Sequence, residues 1–329
     1  MSNYTLADGV LKNKLGATTQ AELAEREASA VRLRMTELRL GIVELDGSFD
    51  ADHLKEIHHH LFQDVYEWAG HTRHERVSLA DGTVATMPIM RKEENGQSFL
   101  LGPLIQPRLD DVASKLAEAD YLRGLERADF AHQAADVFSE INGIHAFREG
   151  NGRTQRAFIR QLAEQAGHHL DFTAISQERM IQASIAANAG DDPSMMRRMF
   201  DEISDPARVA LLREGIGKLS DAYEEAARQR GETSTFDWNR VYVATVAPGH
   251  SLEATFVGEA GDQFMARADE QILFGFAADL PSPRPVRGAI FRLDIPPRDR
   301  FSEMPKRANE QAAVQKDGLD DGKGGGRGR

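Results

Sequence analysis

Apolar positions recur at helical spacing through the first two thirds of the chain and at strand spacing only near its end. Residues 23–40 set apolar side chains three and four apart among Glu and Arg, which predicts an amphipathic helix. Residues 50–68 repeat the pattern, with Leu54, Ile57, Leu61, Phe62, Val65 and Trp68 on one side and Gly70 as the stop. Phe130, Ala134, Val137 and Ile141 mark another helix, and Phe158, Ile159, Leu162, Ala163 and Ala166 the next, ended by Gly167. Helical pattern continues over 176–203 and, after Asp205-Pro206, over about 207–230.

Two stretches break this rhythm. Around Asp81-Gly82, residues 76–80 and 83–87 read as short strands, and Asp-Gly signals a type I′ hairpin turn. Later, 241–246, 251–257, 263–267, 272–276 and 288–293 are five strand-like runs separated by Gly, Pro and Asp. They predict a small β-barrel of OB type. The fold expected is mainly α: a helical domain with a β-hairpin over 1–205, a linker helix plus OB-like β domain over 206–295, and a disordered polar tail over 296–329.

Composition narrows the classes of function. A net charge of −12 argues against broad binding to nucleic acid or anionic membrane. The absence of cysteine excludes disulfides, thiolate catalysis and Cys-ligated zinc, and points to a cytoplasmic protein. No secretory signal is visible at the N-terminus, and the most apolar run, 272–278, is too short to span a bilayer.

Chemistry concentrates between two helices, in His145-Ala146-Phe147-Arg148-Glu149-Gly150-Asn151-Gly152-Arg153-Thr154-Gln155-Arg156. Gly150 and Gly152 let backbone approach a bulky ligand. The turn opens a helix, whose free N–H groups and dipole suit phosphate. Arg153 and Arg156, three apart, reach one ligand and suit a di- or triphosphate. A carboxylate among phosphates makes sense at Glu149 if it holds Mg²⁺. His145 is the residue of the loop able to accept a proton near neutral pH, and Phe147 anchors the loop. The set has no nucleophile of its own, so it implies phosphoryl or nucleotidyl transfer to an outside hydroxyl.

The string resembles the signature of the Fic family, His-x-Phe-x-(Asp/Glu)-Gly-Asn-Gly-Arg-x-x-Arg, and residues 57–73 look like the upstream Fic helix. With the β-rich segment, the chain is similar to the Fic-plus-OB Bartonella effector proteins of type IV secretion and to conjugation-linked toxins. The resemblance implies AMP transfer from ATP to a protein hydroxyl. His145 would be the base and Glu149 the Mg²⁺ ligand. Phe147, Gly150, Asn151, Gly152, Arg153 and Arg156 would form the nucleotide site, and the hairpin over 76–90 would dock the target. It also implies a cytoplasmic or translocated protein. One departure is Ala146, where the family most often has Pro.

The family's inhibitory motif, (Ser/Thr)-x-x-x-Glu-(Gly/Asn), has only near misses: Thr18…Glu22-Leu23, Ser114…Glu118-Ala119, Ser220…Glu224-Glu225 and Thr255…Glu259-Ala260. A separate small antitoxin that sets a Glu against Arg156 is therefore expected. The alternatives are another Fic-type transfer, of phosphate, UMP or phosphocholine, or a non-catalytic binding module in the β domain. Thr83 and Thr86 are candidates for self-modification. Neither the run His58-His59-His60 nor His168-His169 is expected to bind metal.

Overall fold

The computed structural model describes residues 3–45, 47–91, 98–190, 192–246, 249 and 251–295; the tail expected over 296–329 lies outside them. Helix α1 (Gln20–Arg39) starts at a capping box in which Thr19 accepts from the Glu22 N–H. Asp50 caps α2 (Ala51–Phe62) by accepting from His53 N–H. That helix ends at Phe62, well before Trp68. The chain then turns, but Val65 and Trp68 stay buried, so the apolar pattern outlasts the helix.

Strands β1 (Val77–Ser78) and β2 (Val84–Ala85) pair antiparallel. Gly82 has φ +79°, whereas Asp81 is not among the residues with positive φ. Gly82 N–H donates to Leu79 O and Leu79 N–H to Thr83 O. The connection is a turn closed by one left-handed glycine, not the type I′ turn expected. Its tip is strapped down: Lys12 donates to Thr83 Oγ1 at 2.8 Å and pairs with Asp81 at 2.7 Å.

Helix α3 (Ile105–Glu118), not foreseen in the sequence, buries Ile105, Leu109, Val112 and Leu116. Helices α4 (Arg127–Ile144) and α5 (Asn151–Gln165) flank the candidate loop. The pattern over 176–203 is two helices, α6 (Gln177–Ala189) and α7 (Ser194–Ile203), with Gly190 and Pro193 in the break. Helix α8 (Pro206–Gln229) starts at Asp205, with Pro in its first turn. One apolar core runs from Tyr4 to Ile203 through helices α1 to α7.

The C-terminal strands are β3 (Tyr242–Thr245), β4 (Ser251–Ala260), β5 (Gln263–Ala268), β6 (Gln271–Phe276) and β7 (Ile290–Asp294). They form one mixed sheet in the order β3-β6-β5-β4-β7, with β3 parallel to β6 and the remaining pairs antiparallel. The edge strands β3 and β7 do not pair with each other among the described residues, so the closed barrel expected from the five runs is not present there. One reason lies in α8: Val209, Leu211 and Leu212 pack with Val243 and Phe274, so a helix covers sheet surface. Gly215 permits this approach, since a Cβ there would stand 2.7 Å from the Phe274 ring. Phe256, Phe264, Phe274 and Phe291 are buried, which removes them from any exposed stacking face.

Candidate active site

Helix α4 ends at His145, which adopts a left-handed conformation at φ 50°, ψ 61°. Glycine usually takes this position because a side chain there costs about 1 kcal/mol. A buried arginine holds the strained residue. Arg73 donates through Nε to His145 O at 2.9 Å, its backbone N–H donates to Ala146 O at 2.8 Å, and its guanidinium reaches Met87 O, Pro88 O and Leu100 O. Arg73 therefore joins the hairpin arm to the first residues of the loop. The His145 imidazole is half-buried and stacks on Phe99, with centroids 3.8 Å apart.

The loop closes on itself through Asn151. Its Oδ1 accepts from Phe147 N–H at 2.9 Å, and its Nδ2 donates to Phe147 O at 2.8 Å. The Asn151 side chain is thus spent on loop geometry, while its backbone belongs to the first turn of α5. Phe147 is fully buried and stacks on His58 at 3.9 Å, which makes its ring the anchor. Gly70 N–H donates to His58 Nδ1 at 2.8 Å, so that nitrogen carries no proton. Nε2 then donates to Glu149 O at 3.1 Å. Burial pushes the His58 imidazole down to about 3, so it stays neutral.

Gly150 is left-handed at φ 81°, and a Cβ on it would stand 2.3 Å from the Phe62 ring. It precedes α5, whose N-terminus no side chain caps. The N–H groups of Asn151, Gly152 and Arg153 have no partner within the helix, and Thr154 N–H is the first to bond back, to Gly150 O. A Cβ on Gly152 would meet only the mobile end of Arg156, at 3.2 Å.

Arg153 and Arg156 differ in their surroundings. Arg153 pairs with Glu27 Oε1 at 2.5 Å and Glu149 Oε1 at 3.3 Å, and lies 4.7 Å over the Phe62 ring. Arg156 pairs with no carboxylate among the described residues. Burial, then the neighbouring Arg153, lowers its pKa. It borders a cavity of about 400 Å³ together with Arg39, Arg160 and Arg213. Glu149 is half-exposed; Oε1 accepts from Gly150 N–H, and Oε2 accepts no hydrogen bond among the described residues.

No group of three or more His, Asp or Glu able to hold a metal alone occurs among the described residues. One half-free carboxylate fits Mg²⁺ that arrives with phosphate oxygens and water, as this ion commonly does. The histidine run goes three ways: His58 to the loop, His59 to Ala69 O and His60 to Arg34 O. His168 bonds to Leu125 O and stacks on Phe130. Glu27, His58, Arg73 and Phe99 also support the loop, and none of them stands out in the sequence as a site residue; Phe62 stands out only as an apolar helix position. For Glu27 a signal existed: it occupies a core slot of α1 between Leu23 and Val31.

A family model for the Fic/DOC family matches residues 48–163. A protein adenylyltransferase of Bartonella henselae is 40% identical over 204 residues, 62% of this chain, and the chain spans 37% of that relative's length. Among solved structures, the type IV secretion system effector protein BepA aligns over 89% of this chain and 96% of its own, with 32% identity and a TM-score of 0.76. BepC of Bartonella tribocorum, solved with bound AMPPNP, aligns over 62% of this chain and 97% of its own, with 37% identity and a TM-score of 0.59.

Proposed function

The chain belongs to the Fic/DOC family, and we propose that it is a protein adenylyltransferase moving AMP from ATP onto a Ser, Thr or Tyr hydroxyl of a target protein. The observation that carries this reading is the uncapped first turn of α5 behind left-handed Gly150, with two arginines on that helix and His145 at the end of the helix before it. The names and the bound AMPPNP of its relatives support the choice of nucleotide.

In this reading the N–H groups of Asn151, Gly152 and Arg153 receive phosphate oxygens. Gly150 and Gly152 leave the backbone bare for that approach, and Asn151 and Phe147 keep the loop in shape. Arg153 and Arg156 take the β- and γ-phosphates. Glu149 would hold Mg²⁺ against the α- and β-phosphates; when bound, the ion neutralises charge there. His145 takes the proton of the incoming hydroxyl. The hydroxyl oxygen bonds to the α-phosphorus, the bond from that phosphorus to the α–β bridging oxygen breaks, and pyrophosphate leaves with the electron pair.

We read the hairpin over 76–90 as the main-chain docking edge for the target. A separate antitoxin would set a carboxylate against Arg156, a reading supported by the lack of an acidic partner for that residue among the described residues. The chain then divides into a Fic domain over 1–205 and a linker helix with an open β-sheet unit over 206–295, in a protein that is cytoplasmic or translocated as its effector relatives are. No described helix is long and apolar enough to cross a membrane.

The test uses ATP labelled at the α or the γ position, a lysate, and the H145A variant. Label from the α position on protein, absent with H145A, is the expected result. Label from the γ position alone would mean phosphate transfer and overturn the proposal.

A further inference from the structure

Helix α1 carries a buried acid where its pattern calls for an apolar side chain. Its inward stripe is Leu23, Glu27 and Val31, four residues apart, and Glu27 is only 8% exposed. A carboxylate in such a slot is costly unless it is paired and hydrogen-bonded. Both oxygens are engaged. Oε1 lies 2.5 Å from Arg153 Nη1, and Oε2 accepts from the Tyr66 hydroxyl. Tyr66 is itself buried and stacks on Trp68, so it fixes the acid from behind.

The partners of Glu27 converge on the candidate phosphate site. Arg153 lies over Phe62, the same ring that packs against Gly150 at the start of α5. A flexible arginine loses rotamer freedom when it seizes a ligand; one already held by a fixed carboxylate and an aromatic face loses less on binding. A guanidinium has five N–H donors in one plane, so contact with Glu27 leaves others for a ligand.

We propose that Glu27 is a positioning residue of the nucleotide site, holding the Arg153 guanidinium against Phe62 so that its remaining donors meet phosphate oxygens. This rests on reading the start of α5 as the triphosphate site. Glu27 touches no reacting atom; it acts through Arg153.

The experiment measures ATP affinity calorimetrically with Mg²⁺ in the full chain, in an H145A background that prevents turnover, and KM against kcat in the active background. The variants are E27Q, R153A and the double variant. E27Q is expected to weaken ATP binding about fivefold, comparable to ordinary coupling between contacting residues. It should raise KM more than it lowers kcat, and have no further effect once Arg153 is Ala. Y66F, which removes only the hydroxyl orienting Glu27, should weaken binding in the same direction by less, and serves if E27Q does not fold. An E27Q effect of equal size with and without Arg153 would assign Glu27 a general structural role and overturn the proposal. Unchanged or tighter ATP binding by E27Q would overturn it too, the latter by showing that the carboxylate competes with phosphate. If R153A itself leaves ATP binding unchanged, the triphosphate reading fails, and that failure is seen before Glu27 is tested.

Discussion

A histidine sealed inside a helical core has two ring nitrogens to satisfy and no water to help. His58 meets the need by accepting from Gly70 N–H and donating to Glu149 O, so the neutral form fits and the protonated form would lose an acceptor. Its folded pKa is depressed to about 3 by burial, against about 6.5 in an unfolded chain. As pH falls below 6.5 the unfolded chain binds a proton that the fold refuses. Stability from this group is therefore full above 6.5 and falls until pH reaches about 3. Between pH 7 and pH 5 the loss is about 2 kcal/mol. Urea unfolding of H58Q at both pH values should show lower stability at pH 7 but a drop on acidification smaller by about that amount. Equal drops in the two proteins would contradict the assignment. The sequence marked His58 only as one of three adjacent histidines. Which nitrogen meets which backbone group depends on a chain reversal at Gly70 and a loop some ninety positions later, and no local pattern encodes that pairing.

Arg73 acts at the scale of elements, since it ties the second arm of the hairpin to the left-handed end of α4. It is fully buried, and its side-chain hydrogen-bond partners among the described residues are all backbone carbonyls: His145, Met87, Pro88 and Leu100. A lysine has one nitrogen on a flexible stem and cannot span these carbonyls as a planar fork does. R73K should cost about 3 kcal/mol, the scale of one or two lost hydrogen bonds to a charged group. Hydrogen exchange should quicken in both 84–88 and 144–147; quickening confined to one segment would deny the link. The elements themselves were unevenly legible. The helices around the loop follow from regular apolar spacing, and the loop from a dense run of chemically committed residues. Helix α3 was missed although its apolar positions Ile105, Leu109, Val112 and Leu116 hold helical spacing, because Pro103 and Pro107 punctuate its start. The five strand runs were visible, but their order was not. Pairing of β3 with β6 is a long-range choice, made where α8 lays its apolar side on the sheet.

The helical half and the sheet meet through buried charge as well as apolar contact. Glu202 on α7 takes Arg179 at 2.7 and 3.0 Å, stands 3.5 Å from Arg208, and accepts from Thr245 N–H on β3 at 2.9 Å. Arg179 also donates to Val243 O, and Arg208 to Thr245 Oγ1 and Asp201. One carboxylate therefore answers two arginines that are almost wholly buried, and it does so at the strand where sheet meets helices. Removing its charge strands Arg179 and leaves Arg208 with Asp201 as its remaining carboxylate, in a medium that solvates cations poorly, a change that costs about 3–5 kcal/mol in comparable buried pairs. An exposed pair of similar geometry offers the contrast: Arg197 forks onto Asp136 at 2.7 and 2.8 Å, but water screens it, so D136N should cost at most about 1 kcal/mol. E202Q should reach the larger figure in urea unfolding. Because the lost contacts lie on both sides of the junction, proteolysis near 206–240 should quicken alongside unfolding of the sheet. A cost for E202Q no greater than that for D136N would mean that apolar packing of α8 on β3 and β6 holds the two halves together without help from the charges.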